Sequence, residues 1–253
     1  MKISVCGKGG SGKSTIVTLL AKVVQKRGYT VLVVDSDESN SGLFRMLGFK
    51  EPPVPLMELV GGKDALKDKM RRPSVLKESE IPIEGISFPY IQTGMDSLML
   101  VSIGKVLQSL EGCACPMGVL SREFLKKLRL MKNEVAIVDM EAGIEHFGRG
   151  IDDSIDKVLV VVEPSFESVN IAEKIYSLAS GINKKVMAVL NKMPSVKVCH
   201  KIEDGLKNKE IKIAGAIPYD PLVFDSNLEG RLLDKGEAYD AAGKVLDALL
   251  QGK

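Results

Sequence analysis

Seven short apolar runs recur along the chain, and segments with helical periodicity lie between many of them. Most of the runs lack polar alternation, as expected of parallel strands that are covered on both faces. Strands that alternate with helices predict an α/β fold with a doubly wound, mostly parallel sheet and helices on both faces. The runs are Ile3–Cys6, Val31–Val34, Leu98–Val101, Val135–Val138, Val158–Val162, Val186–Leu190 and Ile213–Ile217.

The helical segments differ in clarity. The clearest follows the first run and ends at Gly28, another follows Ser165, and the last covers Glu237–Leu250. The first carries one apolar face, which is typical of a helix packed on a sheet; its members are Ile16, Leu19, Leu20, Val23 and Val24. By contrast, Glu51–Tyr90 is rich in Pro, Lys and Glu and only weakly periodic. We expect a single domain over residues 1–253, with an inserted helical and loop region at 51–90.

Composition narrows the class of protein. The 253 residues are 45% hydrophobic, which is enough for a full core, and 35 Lys and Arg against 33 Asp and Glu give a charge of +2. This balance gives no general attraction to nucleic acid or to a membrane surface. Four cysteines are too few for a disulfide scaffold. The chain starts with a strand-like segment, and no apolar run approaches roughly 18 residues. We therefore expect a cytoplasmic protein without a signal peptide, which binds neither nucleic acid nor membrane.

A glycine-rich loop after the first run has the spacing of a phosphate-binding loop, Gly7-x4-Gly12-Lys13-Ser14, and it opens a helix. Glycines let backbone N–H groups turn toward phosphates, and the helix N-terminus favours negative charge. Lys13 is predicted to contact the β- and γ-phosphates and Ser14 to bind Mg²⁺. A coincidental glycine-rich turn is the alternative. The predicted ATP-binding residues of the loop are Gly9, Gly10, Ser11, Gly12, Lys13, Ser14 and Thr15.

Acidic residues follow two of the predicted strands. Val31–Val34 leads into Asp35-Ser36-Asp37, and Val135–Val138 leads into Asp139. The carboxyl end of a parallel strand is where open α/β sheets place their ligands. Asp139 is therefore the predicted Walker B carboxylate, which holds the hydration shell of Mg²⁺. Asp35 would support the magnesium shell or cap its strand.

A second lysine in the loop, Lys8, makes it resemble the deviant phosphate loop of the ATPase group that contains MinD, ParA and the nitrogenase iron protein. The resemblance implies a homodimer in which Lys8 reaches the partner's nucleotide and stabilises the transferring phosphoryl group. It also implies that Asp37 positions the attacking water. A solvated loop lysine is the alternative for Lys8.

Two later segments resemble the base-binding segments of this group. Asn191-Lys192 follows Val186–Leu190, and Ile217-Pro218-Tyr219-Asp220 follows the next predicted strand. In the group, Asn hydrogen-bonds the purine edge. The resemblance therefore implies that Asn191, Lys192 and Pro218 help to bind ATP through its base.

A cysteine pair, Cys113-Ala114-Cys115, precedes Pro116 between two predicted elements. In an extended segment both side chains would point to one side. Two thiolates fill half of a four-coordinate metal site, and a symmetric dimer supplies the other half. The pair thus predicts a four-cysteine site on the two-fold axis for Ni²⁺ or Zn²⁺. Inert cysteines, a local disulfide and an iron–sulfur cluster are the alternatives.

Taken together, these motifs resemble the CooC-type ATPases of carbon monoxide dehydrogenase maturation. The resemblance implies ATP-driven homodimerisation, nickel binding between subunits, assistance to nickel insertion into carbon monoxide dehydrogenase, and hydrolysis that resets the switch. The residues that carry it are Gly7–Thr15, Cys113 with Cys115, Asp139–His146, Glu163-Pro164, Asn191-Lys192 and Ile217-Pro218-Tyr219.

One position departs from this pattern, and three others are weaker candidates. Glu141 stands where a small residue is expected, and its carboxylate would repel phosphate unless it points away or binds magnesium. The departure concerns the rate of hydrolysis and not nucleotide binding. Cys6 is expected in the core. The side chain of His146 is expected either near the nucleotide-dependent switch or in a purely packing position. Cys199-His200 is predicted on a helix, where adjacent side chains diverge, so we favour a solvated surface pair over a metal site.

Two other functions remain open. A partitioning or positioning ATPase of the MinD/ParA type would bind DNA or membrane, yet Ala238–Leu250 has an apolar face suited to the sheet and no basic flank. DNA binding would need clustered basic residues, and in the best cluster Asp64 and Asp68 reduce the positive charge. The basic residues of this cluster are Lys63, Lys67, Lys69, Arg71 and Arg72. Reductase chemistry like that of the nitrogenase iron protein relies on cysteines far apart in sequence, which a local Cys-x-Cys pair does not match.

Overall fold

The computed structural model describes residues 1–39, 41–105, 115–148 and 150–251. Over these ranges the strands are β1 (Lys2–Gly7), β2 (Thr30–Asp35), β3 (Ile81–Pro82), β4 (Gln92–Thr93), β5 (Leu98–Ser102), β6 (Leu128–Arg129), β7 (Glu134–Asp139), β8 (Lys157–Val162), β9 (Lys185–Met193) and β10 (Lys212–Pro218). Eight of these described strands form one sheet in the order β10-β9-β8-β1-β7-β2-β5-β4. All neighbours are parallel except β4, which runs antiparallel to β5, while β3 and β6 pair separately.

The helices in the same ranges are α1 (Lys13–Lys26), α2 (Leu43–Met46), α3 (Leu56–Leu59), α4 (Gly62–Lys69), α5 (Cys115–Lys127), α6 (Glu145–Gly148), α7 (Phe166–Gly181), α8 (Val196–Lys207), α9 (Pro221–Glu229) and α10 (Glu237–Gln251). Side-chain caps fix where three of them begin. Ser165, Ser195 and Asp220 each accept a hydrogen bond from a backbone N–H in the first turn of α7, α8 and α9.

The sheet is covered on both faces. Alternate residues of β2 point to opposite sides: Val31 and Val33 pack in a core with α1 and α10, whereas Leu32 and Val34 pack in a core with α5 and α7. The predicted doubly wound fold is confirmed, and each of the seven apolar runs lies in a strand of the main sheet. In the described part of the chain, no helix has the length and apolarity needed to cross a membrane.

The segment predicted as an insertion, residues 51–90, contains α3, α4 and β3. Its apolar side chains are buried in the same core as Leu32 and Val34, on the α5 face of the sheet; they include Leu56, Leu66, Ile81 and Ile83. Three elements in or beside it were not predicted: β3, its partner β6 and the antiparallel edge strand β4. Each has two residues, which is too short to show a period in the sequence.

Candidate nucleotide-binding site

The loop between β1 and α1 adopts a backbone that requires glycine at two points. Gly7 has φ of 142°, and a Cβ there would lie 2.6 Å from the carbonyl oxygen of Val161. Gly12, directly before α1, has φ of 94°. Because larger residues disfavour such angles, these glycines let the chain turn from strand to helix. The N-terminus of α1 is thereby presented at the carboxyl end of the sheet, which is the expected position of a phosphate site.

The end of β9 holds this loop in place. The Asn191 side chain, 4% exposed, donates from Nδ2 to the carbonyl oxygen of Ser11 at 2.8 Å, and Lys192 donates from Nζ to that of Gly10 at 2.6 Å. A Cβ on Gly12 would lie 2.3 Å from Asn191 Nδ2. Two of the three residues predicted to help bind the base, Asn191 and Lys192, therefore contact the phosphate loop directly in this structure.

A cavity of about 370 Å³ adjoins the loop at the ends of β9 and β10. Apolar and aromatic walls with a few polar groups are typical of a site for a planar ring. Thr15, Asn191, Lys192 and Pro218, all predicted contacts, line it. Sequence reasoning did not single out the walls that α9 supplies, because an exposed helix face has no phosphate-type motif; they are Val223, Phe224, Asn227 and Leu228.

Two buried carboxylates lie beside the helix N-terminus on neighbouring strands. Asp35 of β2 is in register with Asp139 of β7, and Ser14 Oγ donates to Asp139 Oδ2 at 2.6 Å. Burial, reinforced by the charge of Asp35, raises the pKa of Asp139 to about 7. Burial also raises the pKa of Asp35 to about 6, although Lys105 opposes the shift. Both carboxyl groups therefore hold their protons more firmly than usual, and a bound cation would favour their ionised forms.

This donor set fits magnesium. Mg²⁺ takes oxygen ligands and is usually bound by one or two protein side chains together with phosphates and water. Ser14 Oγ and Asp139 supply such oxygens beside the predicted phosphate position. Asp37, 7% exposed, lies nearby, and its Oδ1 accepts hydrogen bonds from the Ser39 backbone N–H at 3.0 Å and from Ser39 Oγ at 2.6 Å.

The two loop lysines occupy different surroundings. Lys13 is the first residue of α1 and is 7% exposed, which suits a residue that binds phosphates. Lys8 forms an ion pair with Glu163 of the same chain at 2.9 Å. Glu163-Pro164 is one of the segments on which the resemblance to CooC-type ATPases rests. The contact of Glu163 with Lys8 spans 155 positions, so no local sequence pattern predicts it.

Two further contacts escaped sequence reasoning. Lys105 Nζ lies 2.6 Å from Asp35 Oδ2 and 2.6 Å from the backbone oxygen of Asp37. The hydroxyls of Ser36 and Ser121 lie 2.7 Å apart, and Ser121 belongs to α5. The segment Asp35–Asp37 is therefore tied both to the residue that precedes positions 106–114 and to the helix that follows them.

The predicted cysteine site falls largely outside the described residues. Cys113 lies there entirely, and so does the side chain of Cys115, whose backbone forms the first residue of α5. The predicted pairing of the two thiolates on one side of the loop therefore stays a prediction. Among the residues with described side chains, no group of three or more His, Cys, Asp or Glu could hold a metal ion.

The weaker candidates have clear positions. Cys6 is fully buried in the core, as predicted. His146 is 1% exposed and its ring lies 4.5 Å from that of Phe147, so it packs inside the protein. Cys199 Sγ lies 3.6 Å from Glu203 on α8, and His200 is exposed. Glu141 is half-buried on the turn whose Gly143 N–H donates to Gly7 at 3.2 Å.

Comparison with known proteins assigns the family. The model of the CobQ/CobB/MinD/ParA nucleotide-binding domain matches residues 3–233. The chain belongs to this family. It is an ATPase, in keeping with its ATP-binding relatives. One of them, an uncharacterized ATP-binding protein of Methanocaldococcus jannaschii, is 41% identical over 92% of this chain and 94% of its own length. The carbon monoxide dehydrogenase accessory protein CooC of Rhodospirillum rubrum is 31% identical over 91% of this chain and 88% of its own.

Solved structures agree on the fold of this family member. The septum site-determining protein MinD of Pyrococcus horikoshii, complexed with Mg-ADP, has a TM-score of 0.72 at 17% identity and covers 99% of this chain and 97% of its own. MinD in the MinC:MinD complex of Aquifex aeolicus has a TM-score of 0.71 at 21% identity, with coverage of 100% and 96%. At these identities the likeness concerns the fold alone.

Proposed function

We propose that the protein is an ATP-hydrolysing metallochaperone that forms a homodimer with ATP, binds nickel between its subunits through Cys113 and Cys115, and assists nickel insertion into carbon monoxide dehydrogenase. The 31% identity to CooC, which extends over 91% of the chain, carries the proposal, and the local Cys-x-Cys pair supports it. In this proposal residues 1–253 act as one ATPase domain, with 51–90 as its insertion, and the protein works in the cytoplasm.

The nucleotide site supports the ATPase half of the proposal. Lys13 and the N–H groups that open α1 would bind the phosphates, while the cavity at Asn191, Lys192 and Pro218 would take the base. Ser14 and Asp139 would hold Mg²⁺, which would supply charge neutralisation at the phosphates. Asp37 would orient the attacking water, because it lies two residues beyond Asp35, the end of β2 that faces Asp139.

The metal half follows from donor chemistry. Cys113 and Cys115 offer two soft thiolate donors per chain, which leaves a four-coordinate ion half satisfied. A two-fold dimer would complete the set with the same pair from its partner. Soft thiolates suit Ni²⁺ or Zn²⁺. The nickel ion is cargo in this scheme, so its release to a client enzyme requires that the dimer loosen after hydrolysis.

The test is a Ni²⁺ titration of reduced, chelator-free protein with metal analysis by mass spectrometry. We expect one ion per dimer, its loss in Cys113→Ser and in Cys115→Ser, and unchanged ATP binding in both variants. Cys199→Ser is the matched control, since this thiol lies on α8 beside Glu203. One ion per isolated monomer, or full nickel binding without Cys113 and Cys115, would contradict the shared site. ATP-dependent binding to DNA or anionic vesicles, without nickel binding, would favour a positioning ATPase instead.

A further inference from the structure

The carboxyl ends of three adjacent strands meet at one buried point. Asp35 of β2 is in register with Ser102 of β5 on one side and with Asp139 of β7 on the other. All three are nearly inaccessible to solvent, with exposures of 5%, 3% and 0% respectively. Two carboxylates this close disfavour each other's ionised form, and burial increases that penalty. A nearby cation must therefore offset the charge of Asp35.

Lys105 supplies that cation on the β5 side. Its Nζ lies 2.6 Å from Asp35 Oδ2, and the side chains of Lys105 and Asp35 are only 15% and 7% exposed. Among the described residues, Asp35 Oδ1 and Ser102 Oγ are buried without a hydrogen-bond partner. Lys105 is thus the cation in contact with the Asp35 carboxylate, and it favours the ionised form of Asp35 against the effect of burial.

The same ammonium also fixes the backbone two residues further on. Lys105 Nζ donates to the carbonyl oxygen of Asp37 at 2.6 Å, and Asp35 itself accepts a backbone hydrogen bond from Ile103 at 2.9 Å. One side chain thus bridges the last residue of β2 and the residue proposed to orient the attacking water. A charge-assisted bond in a buried setting holds such a segment more firmly than a neutral one.

We propose that Lys105 is a positioning residue for ATP hydrolysis, which holds Asp35 and the peptide of Asp37 so that the Asp37 carboxylate meets the attacking water. The inference rests on the role proposed above for Asp37. Lys105 acts through these two aspartates and not on the nucleotide. Its removal is therefore expected to impair turnover much more than nucleotide affinity.

The experiment compares Lys105→Met, Lys105→Arg and the control Lys126→Met, which alters an exposed lysine of α5. Steady-state kinetics with Mg-ATP give kcat and KM, and a fluorescent ATP analogue gives Kd. Misplacement of a reacting group by about 1 Å lowers rates by about 100-fold, so we expect that loss of kcat in Lys105→Met with Kd within about threefold. Lys105→Arg keeps a cation and should recover most of kcat, while Lys126→Met should match wild type.

A double-mutant cycle separates positioning from general destabilisation. Asp35→Asn and Lys105→Met should each lower kcat, and the double variant should lose less than the product of the two effects. If Lys105→Met does not fold, as judged by circular dichroism and thermal unfolding, Lys105→Gln takes its place, because it keeps a donor without the charge. Near wild-type kcat in Lys105→Met, or equal losses of kcat and ATP affinity, would overturn the inference. Full hydrolysis by Asp37→Asn would instead overturn the proposed role of Asp37.

Discussion

The ammonium of Lys8 lies 2.9 Å from the carboxylate of Glu163 in the same chain. Glu167 lies 3.6 Å from the same ammonium, and Lys192 Nζ lies 3.7 Å from the second carboxylate oxygen of Glu163. The hydrogen bond from Lys8 to Glu163, followed by the charge of that carboxylate, raises the pKa of Lys8 above its ordinary value. If Lys8 acts on a partner's nucleotide, as its resemblance to deviant phosphate loops implies, it must first leave Glu163.

Glu163→Gln should therefore favour the ATP-bound dimer. The substitution weakens the contact that keeps Lys8 in its own chain, and exposed ion pairs of this kind change equilibria by about two- to fivefold. We expect half-maximal dimerisation with a non-hydrolysable ATP analogue at a protein concentration lower by roughly that factor. Light scattering measures it, and Glu167→Gln, with a carboxylate that is 69% exposed, is the control. A dimer weaker than wild type would show that Glu163 supports the interface.

Lys8→Ala should separate binding from hydrolysis. A cation supplied in trans to the transferring phosphoryl group accelerates hydrolysis by about 1,000-fold or more, so its loss should lower kcat by that order. ATP affinity should change little, because Lys13 of the same chain remains at the N-terminus of α1. Lys192→Ala, which removes a contact to the Gly10 carbonyl, tests whether any lysine near the loop has this effect. Wild-type turnover in Lys8→Ala would contradict the predicted role.

Stability should fall as pH rises from acid toward neutrality because of Asp139. Burial and then Asp35 raise the pKa of Asp139 from 3.8 to about 7, so between these values the folded chain binds a proton that the unfolded chain has released. The free energy of unfolding of the nucleotide-free protein should therefore decrease from about pH 4 to about pH 7 and change little with Asp139 above that range. Urea unfolding at several pH values measures this slope.

Asp139→Asn should flatten the slope and raise stability near the upper pH by about 1 kcal/mol or more, since one pKa unit corresponds to about 1.4 kcal/mol. Asp225→Asn, an exposed change on α9, should leave the slope as in wild type. Saturating Mg-ADP should also flatten the wild-type curve, because the cation favours ionised carboxylate. Parallel curves for wild type and Asp139→Asn would contradict the assignment.

The strands and the phosphate loop could be predicted because their signals are local. Uninterrupted apolar runs specify buried parallel strands, and the loop glycines specify a backbone that other residues disfavour. The contacts that hold the aspartates of the site in place are not local in sequence. Lys105 and Asp35 are 70 positions apart, and Ser36 and Ser121 are 85 positions apart. Lysine and serine are common on surfaces, so neither pair stands out until the fold brings its members together.

Glu123 should stabilise the junction between α5 and the inserted region. Its carboxylate accepts hydrogen bonds from the backbone N–H groups of Val75 and Leu76 at 2.9 and 3.0 Å, and it pairs with Lys127 at 2.7 Å. Burial alone would raise the pKa of Glu123, but hydrogen bonds from Lys127, Ser74 and these N–H groups lower it to about 2. This stabilisation is therefore present above about pH 4.5 and is lost as pH falls toward 2.

Glu123→Gln should accordingly lower the free energy of unfolding at neutral pH by about 2 kcal/mol, since bonds to a charged group are worth about 1.5–3 kcal/mol. Chemical denaturation at about pH 7 and about pH 3 measures it, and the difference between variant and wild type should shrink at the lower pH. Glu78→Gln, at an exposed position of the same region, should have little effect. Equal stability of Glu123→Gln and wild type at neutral pH would rule out this role.

Ser121 should carry part of the coupling between ATP and nickel. Its hydroxyl lies 2.7 Å from that of Ser36, which stands between Asp35 and Asp37 in the sequence. Ser121 itself belongs to the helix that begins at Cys115. Under the proposed function, ATP and nickel favour the same dimer, so each must raise the affinity of the other. Ser121→Ala removes a hydrogen bond worth about 1 kcal/mol between the two sites, so the gain in nickel affinity caused by ATP should shrink by up to about fivefold.

This last prediction is measured as a ratio of nickel affinities. Ni²⁺ is titrated without nucleotide, with ADP and with a non-hydrolysable ATP analogue, while light scattering follows the dimer. Ser121→Ala should keep the nickel affinity of the nucleotide-free state, because it alters no thiolate, and lose part of the increase caused by the ATP analogue. Ser177→Ala, an exposed change on α7, should retain the full increase. An unchanged ratio in Ser121→Ala would place the coupling elsewhere, for example through the turn where Gly143 contacts Gly7. Equal nickel affinity in all three states of the wild type would mean that ATP and metal binding are independent properties.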